Sequence, residues 1–391
     1  MAGAVGRHGY GAVHSRRLAE LAGVSKTTLY GHFEGVEGCF VALLDELFER
    51  AAERVAEASE WGAGPGGRMQ AGLESLASIV EANPAGAHLV LVDSLGLGSA
   101  GTGWRDRAER RLEKLVSEIF RSEGVPISGL SARVIVGGAW HCGFRALRDG
   151  RPEDVRRQVP VLAAWALSHC NGGTEQEVAI SLRTAEPSEE LGWQKPPSSA
   201  AARIDLTQRE RIVRAVAQLV AEQGHGELSI PKISARAGTS NATYYENFRS
   251  KDEALEIALD ALTERALRTF VAAFEAQRNW ASGVAGAVGS LCHHIATEPI
   301  FAQLAFFELP ASGQMGLARF EAMLDAFVAA LEPKAAGARS PQGPGRVLGD
   351  AIAGGTWEAI RHELAQDRRE SLPELAPRLA AAALAPFETD G

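Results

Sequence analysis

The sequence repeats itself, and that constrains everything else it can fold into. A shift of 215 lays residues 9–33 on residues 224–248 without a gap. Eight of those 25 positions are identical: Gly9/Gly224, Gly11/Gly226, Ala22/Ala237, Gly23/Gly238, Ser25/Ser240, Thr28/Thr243, Tyr30/Tyr245 and Phe33/Phe248. Average residue usage would give about two by chance. The same shift pairs Asn83-Pro84 with Glu298-Pro299, and a shift of 217 pairs Gly137-Gly138-Ala139-Trp140 with Gly354-Gly355-Thr356-Trp357 and Pro160 with Pro377. The duplication therefore covers whole units, and a chain of 391 residues is long enough for each to bury its own core.

Between the copies, residues 171–202 hold Gly172-Gly173, Lys195-Pro196-Pro197-Ser198-Ser199 and an alanine run without a sustained apolar stripe, which reads as a linker. Elsewhere the pattern is helical. Thr207-Gln208-Arg209-Glu210 has capping-box spacing, and Ile212, Val216, Leu219 and Val220 fall on one face before Gly224 stops the helix. Val41, Leu44, Leu47 and Phe48 share a face, as do Leu255, Leu259 and Leu262. Strand-like alternation is nearly absent, so the expected class is all-α.

Composition narrows the function. The chain is 46% hydrophobic and 23% charged, as globular proteins are. The first thirteen residues lack the apolar stretch of a signal peptide, and runs such as 134–139 and 379–384 are too short to span a bilayer, so a soluble cytoplasmic protein is expected, with no membrane partner. Cys39, Cys142, Cys170 and Cys292 are scattered without a Cys-x-x-Cys pair, which points to buried free thiols rather than disulfides or zinc. His141-Cys142 and Cys292-His293-His294 are adjacent on helices and point apart, so no metal site is expected. The formal net charge of -9 looks adverse to nucleic-acid binding, but a duplex feels the docking face rather than the whole-chain sum.

The repeated segment has a helix-turn-helix pattern. In the second copy Ser229 can cap a short helix that tolerates Pro231 in its first turn; Gly238 supplies a left-handed turn, and Ser240 can cap the next helix, residues 241–247. Gly23, Ser25 and residues 26–32 repeat the arrangement. The run Leu18-Ala-Glu-Leu-Ala-Gly-Val-Ser-Lys-Thr-Thr-Leu-Tyr-Gly-His-Phe33 resembles the helix-turn-helix of TetR family regulators, and so does Ile233-Ser-Ala-Arg-Ala-Gly-Thr-Ser-Asn-Ala-Thr-Tyr-Tyr-Glu-Asn-Phe248 with Lys251 and Leu255 beyond it. Gly354-Gly355-Thr356-Trp357-Glu358 and Ala385-Pro386-Phe387 resemble that family too.

The resemblance implies two tandem units, each a DNA-binding head followed by a helical effector and dimerisation domain. The boundaries are 1–50 for a first head with a truncated leading helix, 51–170 for its helical domain, 171–204 for the linker, 205–255 for the second head and 256–391 for the second helical domain. It implies base contacts from Lys26, Thr27, Asn241 and Ala242 and phosphate contacts from Thr28, Tyr30, Thr243 and Tyr245. His32, Ser240 and Asn247 belong to the same surface, and Lys251 matches a phosphate-pairing lysine. The implied partners are a double-stranded DNA operator and a small apolar effector, with Trp140, Phe306 and Trp357 as pocket candidates, and the implied activity is a ligand-responsive repressor.

The copies are unequal. Only eight residues precede Gly9, so counterparts of Ile212 and Val213 are missing and the first head is expected to be incomplete, unless the true start lies upstream. Two such side chains represent about 3 to 6 kcal/mol of burial. Gly35-Val36 replaces Ser250-Lys251, His14 replaces Ser229, and the second head carries Glu246, which phosphates repel. The Gly-Gly pairs suit either a seam between units or packing within one. About 38 linking residues have a flexible span of about 34 Å, so one chain can form its own pseudo-dimer over half-sites about 34 to 36 Å apart. An intermolecular homodimer is the alternative arrangement, and a ligand-sensing or protein-interaction module with one or both heads inactive for DNA binding is the alternative function. No catalytic group or cofactor is expected: Gly96-Leu-Gly98-Ser-Ala-Gly101 matches Gly-x-Gly-x-x-Gly, but it reads as a loop between helices with no βαβ unit around it, and no His-Glu-x-x-His or Gly-x-Ser-x-Gly is present.

Overall fold

The computed structural model describes residues 16, 19–20, 23–170, 207–331 and 345–387. The linker, the region of His14 and most of the first head ahead of Gly23 lie outside the described residues. Among those described every regular element is helical, and no helix is long and apolar enough to cross a membrane. The all-α expectation holds. Two compact units are formed: Met1–Gln176 with Leu331–His362 and Ala381–Gly391, and Glu177–Ala330 with Glu363–Ala380.

In the first unit the helices are α1 (Lys26–His32), α2 (Gly35–Glu60), α3 (Gly64–Ala82), α4 (Pro84–Leu91), α5 (Gly98–Ser122), α6 (Gly129–Arg148) and α7 (Asp154–Ser168). Burial in α2 falls on Phe40, Leu44, Phe48 and Ala52, which lie on one face, with Val41 and Leu47 half-buried at its edge. Phe48 meets Trp104 edge-on, and Trp104 meets Trp140. The expected loop at Gly96–Gly101 is instead a 3-10 turn, Asp93–Leu97, running into the first turn of α5. Gly98 takes φ 57°, and a Cβ on Gly101 would lie 2.1 Å from the Ser94 carbonyl oxygen, so these glycines serve a tight helix junction.

The same unit includes most of α15 (Gly345–Ala365), which crosses α6 at the two Gly-Gly pairs. A Cβ on Gly137 would sit 2.5 Å from Glu358 Cβ, one on Gly354 2.3 Å from His141 Cβ, and one on Gly355 2.4 Å from the Val134 carbonyl oxygen. Only glycine permits this approach. Beside the crossing lies a buried ion cluster. Arg105 donates to Glu109 (2.5 Å) and Glu358 (3.0 Å), while Arg361 donates to Glu358 (2.7 Å), Glu109 (2.9 Å) and Asp106 (2.5 Å). The Arg105 guanidinium lies 5.1 Å from the ring centroid of Trp140 and 5.5 Å from that of Trp357. Burial opposes the Glu358 carboxylate, but Arg361 and Arg105 outweigh it and hold its pKa low. Burial and then the Glu358 charge push Glu109 up.

The second unit opens with α8 (Gln208–Gln223), closed by the expected Thr207–Glu210 capping box and ended by Gly224 at φ 81°. It continues with α9 (Ile230–Ala237), α10 (Asn241–Asn247), α11 (Lys251–Glu275), α12 (Trp280–Thr297), α13 (Pro299–Gln303) and α14 (Gly313–Leu331). Ile212, Val216, Leu219, Val220, Leu255, Leu259 and Leu262 are all buried, as their spacing implies. A π turn, Leu304–Glu308, follows α13. The last helix among the described residues is α16 (Leu372–Leu384).

All four cysteines are free. Cys142 and Cys292 are buried as expected, but Cys39 and Cys170 are only half-buried. Burial pushes the Cys292 thiol up to about 12 and Cys142 further still, so neither is a nucleophile at neutral pH.

Candidate nucleic-acid interface and the cavity behind it

Both candidate recognition helices are built by the same local device. Ser240 Oγ accepts from the Thr243 N–H at 3.0 Å and closes the start of α10; Ser25 Oγ accepts from the Thr28 N–H at 3.0 Å and closes α1. Ahead of α10, Gly238 adopts φ 65°, ψ 41°, the left-handed turn expected there. Ser229 departs from expectation: it occupies the N-cap of α9, but its side chain makes no capping bond. Pro231, second in that helix, has no N–H, and the Lys232 N–H, which stands where Thr28 and Thr243 stand in the capped helices, is not used by Ser229 either.

One face of each short helix is anchored and the other is left bare. Tyr244 is fully buried, donates its hydroxyl to the Ser250 carbonyl at 2.8 Å, and packs on Phe248. Leu29 is its buried counterpart in α1. The exposed side holds Lys26, Thr27, Thr28, Tyr30 and His32 on α1, and Ser240, Asn241, Ala242 and Tyr245 around α10. Tyr30 and Tyr245 are 55% and 60% exposed, unusual for an aromatic without a partner surface. Thr28 and Thr243 keep their hydroxyls within 2.8 and 3.0 Å of the capping serines.

Asn247 and Lys251 are more committed than their sequence roles imply. Asn247 turns its amide back to the Thr243 carbonyl at 2.8 Å, and Lys251 donates to the Leu228 carbonyl at 3.1 Å, tying the start of α11 to the strand of chain before α9. Around the second head, Arg236 forms a two-bond pair with Glu222 and Lys232 pairs with Glu227. Arg209, which sequence spacing did not single out, donates to the Asn247 carbonyl at 2.9 Å and lies over the Phe248 ring at 4.6 Å. Glu246 is exposed on α10.

The two heads also differ where they join their bodies. Ser250 caps α11 by accepting from the Glu253 N–H, whereas α2 starts at Gly35 behind Glu34 with no side-chain cap. In the second unit Glu308, at the end of the π turn, accepts the His225 backbone N–H at 3.1 Å, so the turn that follows α8 is held by the body. In the first unit α2 itself forms part of the body: Trp104 on α5 donates to Asp45 on α2 at 2.9 Å.

Behind the first head lies a cavity of about 180 Å³, walled by α2 to α7. Trp140 is part of its wall. Phe306 and Trp357 are not: Phe306 is buried in the π turn of the second unit and Trp357 flanks Arg105. The wall is aliphatic, with Leu47 and Phe48 of α2 facing Leu76, Ile79 and Leu162 among others. Among the described residues no group of three His, Cys, Asp or Glu is placed to hold a metal ion.

The family model for bacterial regulatory proteins, tetR family, matches residues 4–43 and 212–256. None of the curated proteins matches the chain. Among solved structures, the fatty acid degradation regulator FadR from Bacillus halodurans is 19% identical over 46% of this chain and 95% of that one, with a TM-score of 0.42. A TetR family transcription regulator from Marinobacter aquaeolei VT8 is also 19% identical, over 45% of this chain and 94% of that one, with a TM-score of 0.36. Two segments of the chain are thus similar to that family model, and both capped, exposed helices α1 and α10 fall inside the matched residues.

Proposed function

We propose that this protein is a sequence-specific DNA-binding transcriptional regulator, a ligand-responsive repressor in which one chain presents two unlike heads as a covalent pseudo-dimer. The observation that carries the DNA-binding reading is the pair of serine-capped helices with exposed Thr-x-Tyr faces, each inside a matched regulatory segment. A helix N-terminus with bare N–H groups and hydroxyls suits phosphates, and the first-turn side chains are left for base edges. The α6–α15 crossing supports the pseudo-dimer, because a helix of the second copy completes the bundle of the first unit. The cavity is the effector site in this reading. Its wall includes α2, the helix that leads directly from α1, so an occupant that prefers one placement of α2 shifts the head.

Selection of bound sequences from random DNA tests this. Lys26-Thr27 and Asn241-Ala242 present different chemistry, so the expected operator has two unlike half-sites, and a perfect inverted repeat refutes the pseudo-dimer. A 41.5 kDa monomer that binds operator DNA in solution supports it. The exposed Glu246 and the paired Arg236 and Lys232 favour a second reading, a ligand-sensing or protein-interaction module whose second head is inactive. Retention of full binding after Tyr245→Ala in the second head decides for that reading, with DNA contact through the first head alone.

A further inference from the structure

The wall of the cavity specifies what enters it. Its lining contains no Asp, Glu, Lys, Arg or His, so an ion inside would lose its hydration with no countercharge. Four lining side chains carry hydrogen-bonding groups. Two are occupied: Ser59 donates to the Val55 carbonyl at 2.8 Å, and the Asn83 carbonyl oxygen accepts from the Gly86 N–H at 3.0 Å. The other two, Trp140 Nε1 and Gln158 Oε1, are buried without a partner. Trp140 is only 5% exposed, so its N–H has no access to bulk water. One orphan is a donor and the other an acceptor, and buried polar groups of both kinds are costly unless something supplies the missing bonds.

We propose that the cavity takes a small, uncharged, hydroxyl-bearing hydrophobe, a phenol or a compact alcohol, and rejects carboxylates. The inference rests on the reading of the cavity as the effector site. A hydroxyl is the smallest uncharged group that can give a proton to Gln158 Oε1 or accept one from Trp140 Nε1. An ionised carboxylate only accepts, and it repels the Gln158 oxygen. Size follows from volume: an apolar cavity of about 150 Å³ accepts benzene, so about 180 Å³ suits one ring with a short substituent.

Calorimetric titration of the full chain at pH 7 with p-cresol, toluene and p-toluate tests both layers. The three share a ring and a methyl group and differ in the polar group alone. The expected order is p-cresol about tenfold or more tighter than toluene, as one or two buried hydrogen bonds imply, with no binding of p-toluate. Gln158→Leu should narrow the gap between p-cresol and toluene while toluene still binds, which also reports an intact cavity. Ala139→Phe, which fills the space, should abolish both. Equal affinities for p-cresol and toluene in the natural chain overturn hydroxyl recognition but leave the cavity as a binding site, and p-toluate binding as tightly as p-cresol overturns the neutral class. Failure of all three to bind overturns the effector-site reading together with this one.

Discussion

Gly355→Ala measures how close the α6–α15 crossing is. In a helix interior this substitution normally stabilises by about 1 kcal/mol, because alanine has less backbone freedom to lose. Here the new Cβ falls 2.4 Å from the Val134 carbonyl oxygen and 2.9 Å from Val134 Cγ1. A side-chain tip can rotate away, but a carbonyl inside α6 is fixed by the helix. Ordinary C···O approach is about 3.3 Å or more, so the helices must part by about 1 Å. A gap of that size forfeits up to about half of each dispersion contact of 0.1 to 0.2 kcal/mol. Spread over the few tens of atom pairs along the seam, the loss is about 2 to 4 kcal/mol, so the net effect is destabilisation by about 1 to 3 kcal/mol.

Gly103→Ala on α5 is the control, since a Cβ there meets nothing within 4 Å. Urea unfolding of the full chain should move the two variants in opposite directions: Gly103→Ala up by as much as about 1 kcal/mol, Gly355→Ala down. Gly137→Ala should be destabilising too, and less so in the Gly355→Ala background, because the Cβ at 137 comes within 3.3 Å of Gly355 Cα and the helices are already parted. If Gly355→Ala stabilises as Gly103→Ala does, the close approach is wrong.

Three further outcomes are expected. Ser240→Ala removes the α10 cap and should cost about 1 kcal/mol of stability, with a larger loss of operator affinity in a gel-retardation assay because the helix start frays. Lys26→Ala should weaken DNA binding for all sequences and lower the slope of log affinity against log salt by about one, as loss of one phosphate contact does, or relax preference at one base if Lys26 reads an edge. His141, His169 and His294 are buried, and burial lowers their pKa to about 3, 4 and 4. The unfolded chain protonates these rings near pH 6.5 and the native fold only near 3 to 4, so stability present above pH 6.5 is lost as pH falls towards 4. Each ring contributes up to about 1.4 kcal/mol per pH unit, and His294→Asn should flatten the fall in urea midpoint between pH 7 and pH 5.

What could be read from the sequence is what depends on neighbours in sequence. The capping box at Thr207, the left-handed Gly238, the serine before each recognition helix and the apolar face of α8 are fixed by spacings of three and four residues, and all are present in the fold. Ser229 has the place of a cap in the sequence, yet its hydroxyl makes no bond to the helix it precedes. Lys251 reads as a free cation in a motif, yet its amine has reached a carbonyl 23 residues earlier. The aromatic rows gave Trp140 as a pocket residue and also gave Trp357 and Phe306. Arg105 lies over both tryptophans, and only tertiary placement brings Trp140 and not Trp357 to the cavity wall. The Arg105–Glu358 pair joins residues 253 apart, and no local pattern announces it.

That pair also decides which symmetry the duplication retains. The shift of 217 that superposes Trp357 on Trp140 puts Glu358 on His141 and Arg361 on Phe144, and either shift places Arg105 and Glu109 on uncharged residues, Phe320 or Ala322 and Leu324 or Ala326. The Gly-Gly-x-Trp frame is therefore common to both copies, while the charges are not. If two first copies met through α6 as they meet α15 here, Arg105 would find His141 where Glu358 stands, and Trp140 would again cover its face. A buried guanidinium deprived of one carboxylate costs about 3 to 5 kcal/mol, more than the pair contributes over a neutral replacement. The glycines permit pairing of like with like, and the ions penalise it. The charge that meets across this crossing is unlike on its two sides: Arg105, Asp106 and Glu109 of α5 face Glu358 and Arg361 of α15, and Arg145 of α6 lies 3.6 Å from Asp350. Replacing Arg105 with Met and Glu358 with Leu together should relax that discrimination with far less loss of stability than either change alone.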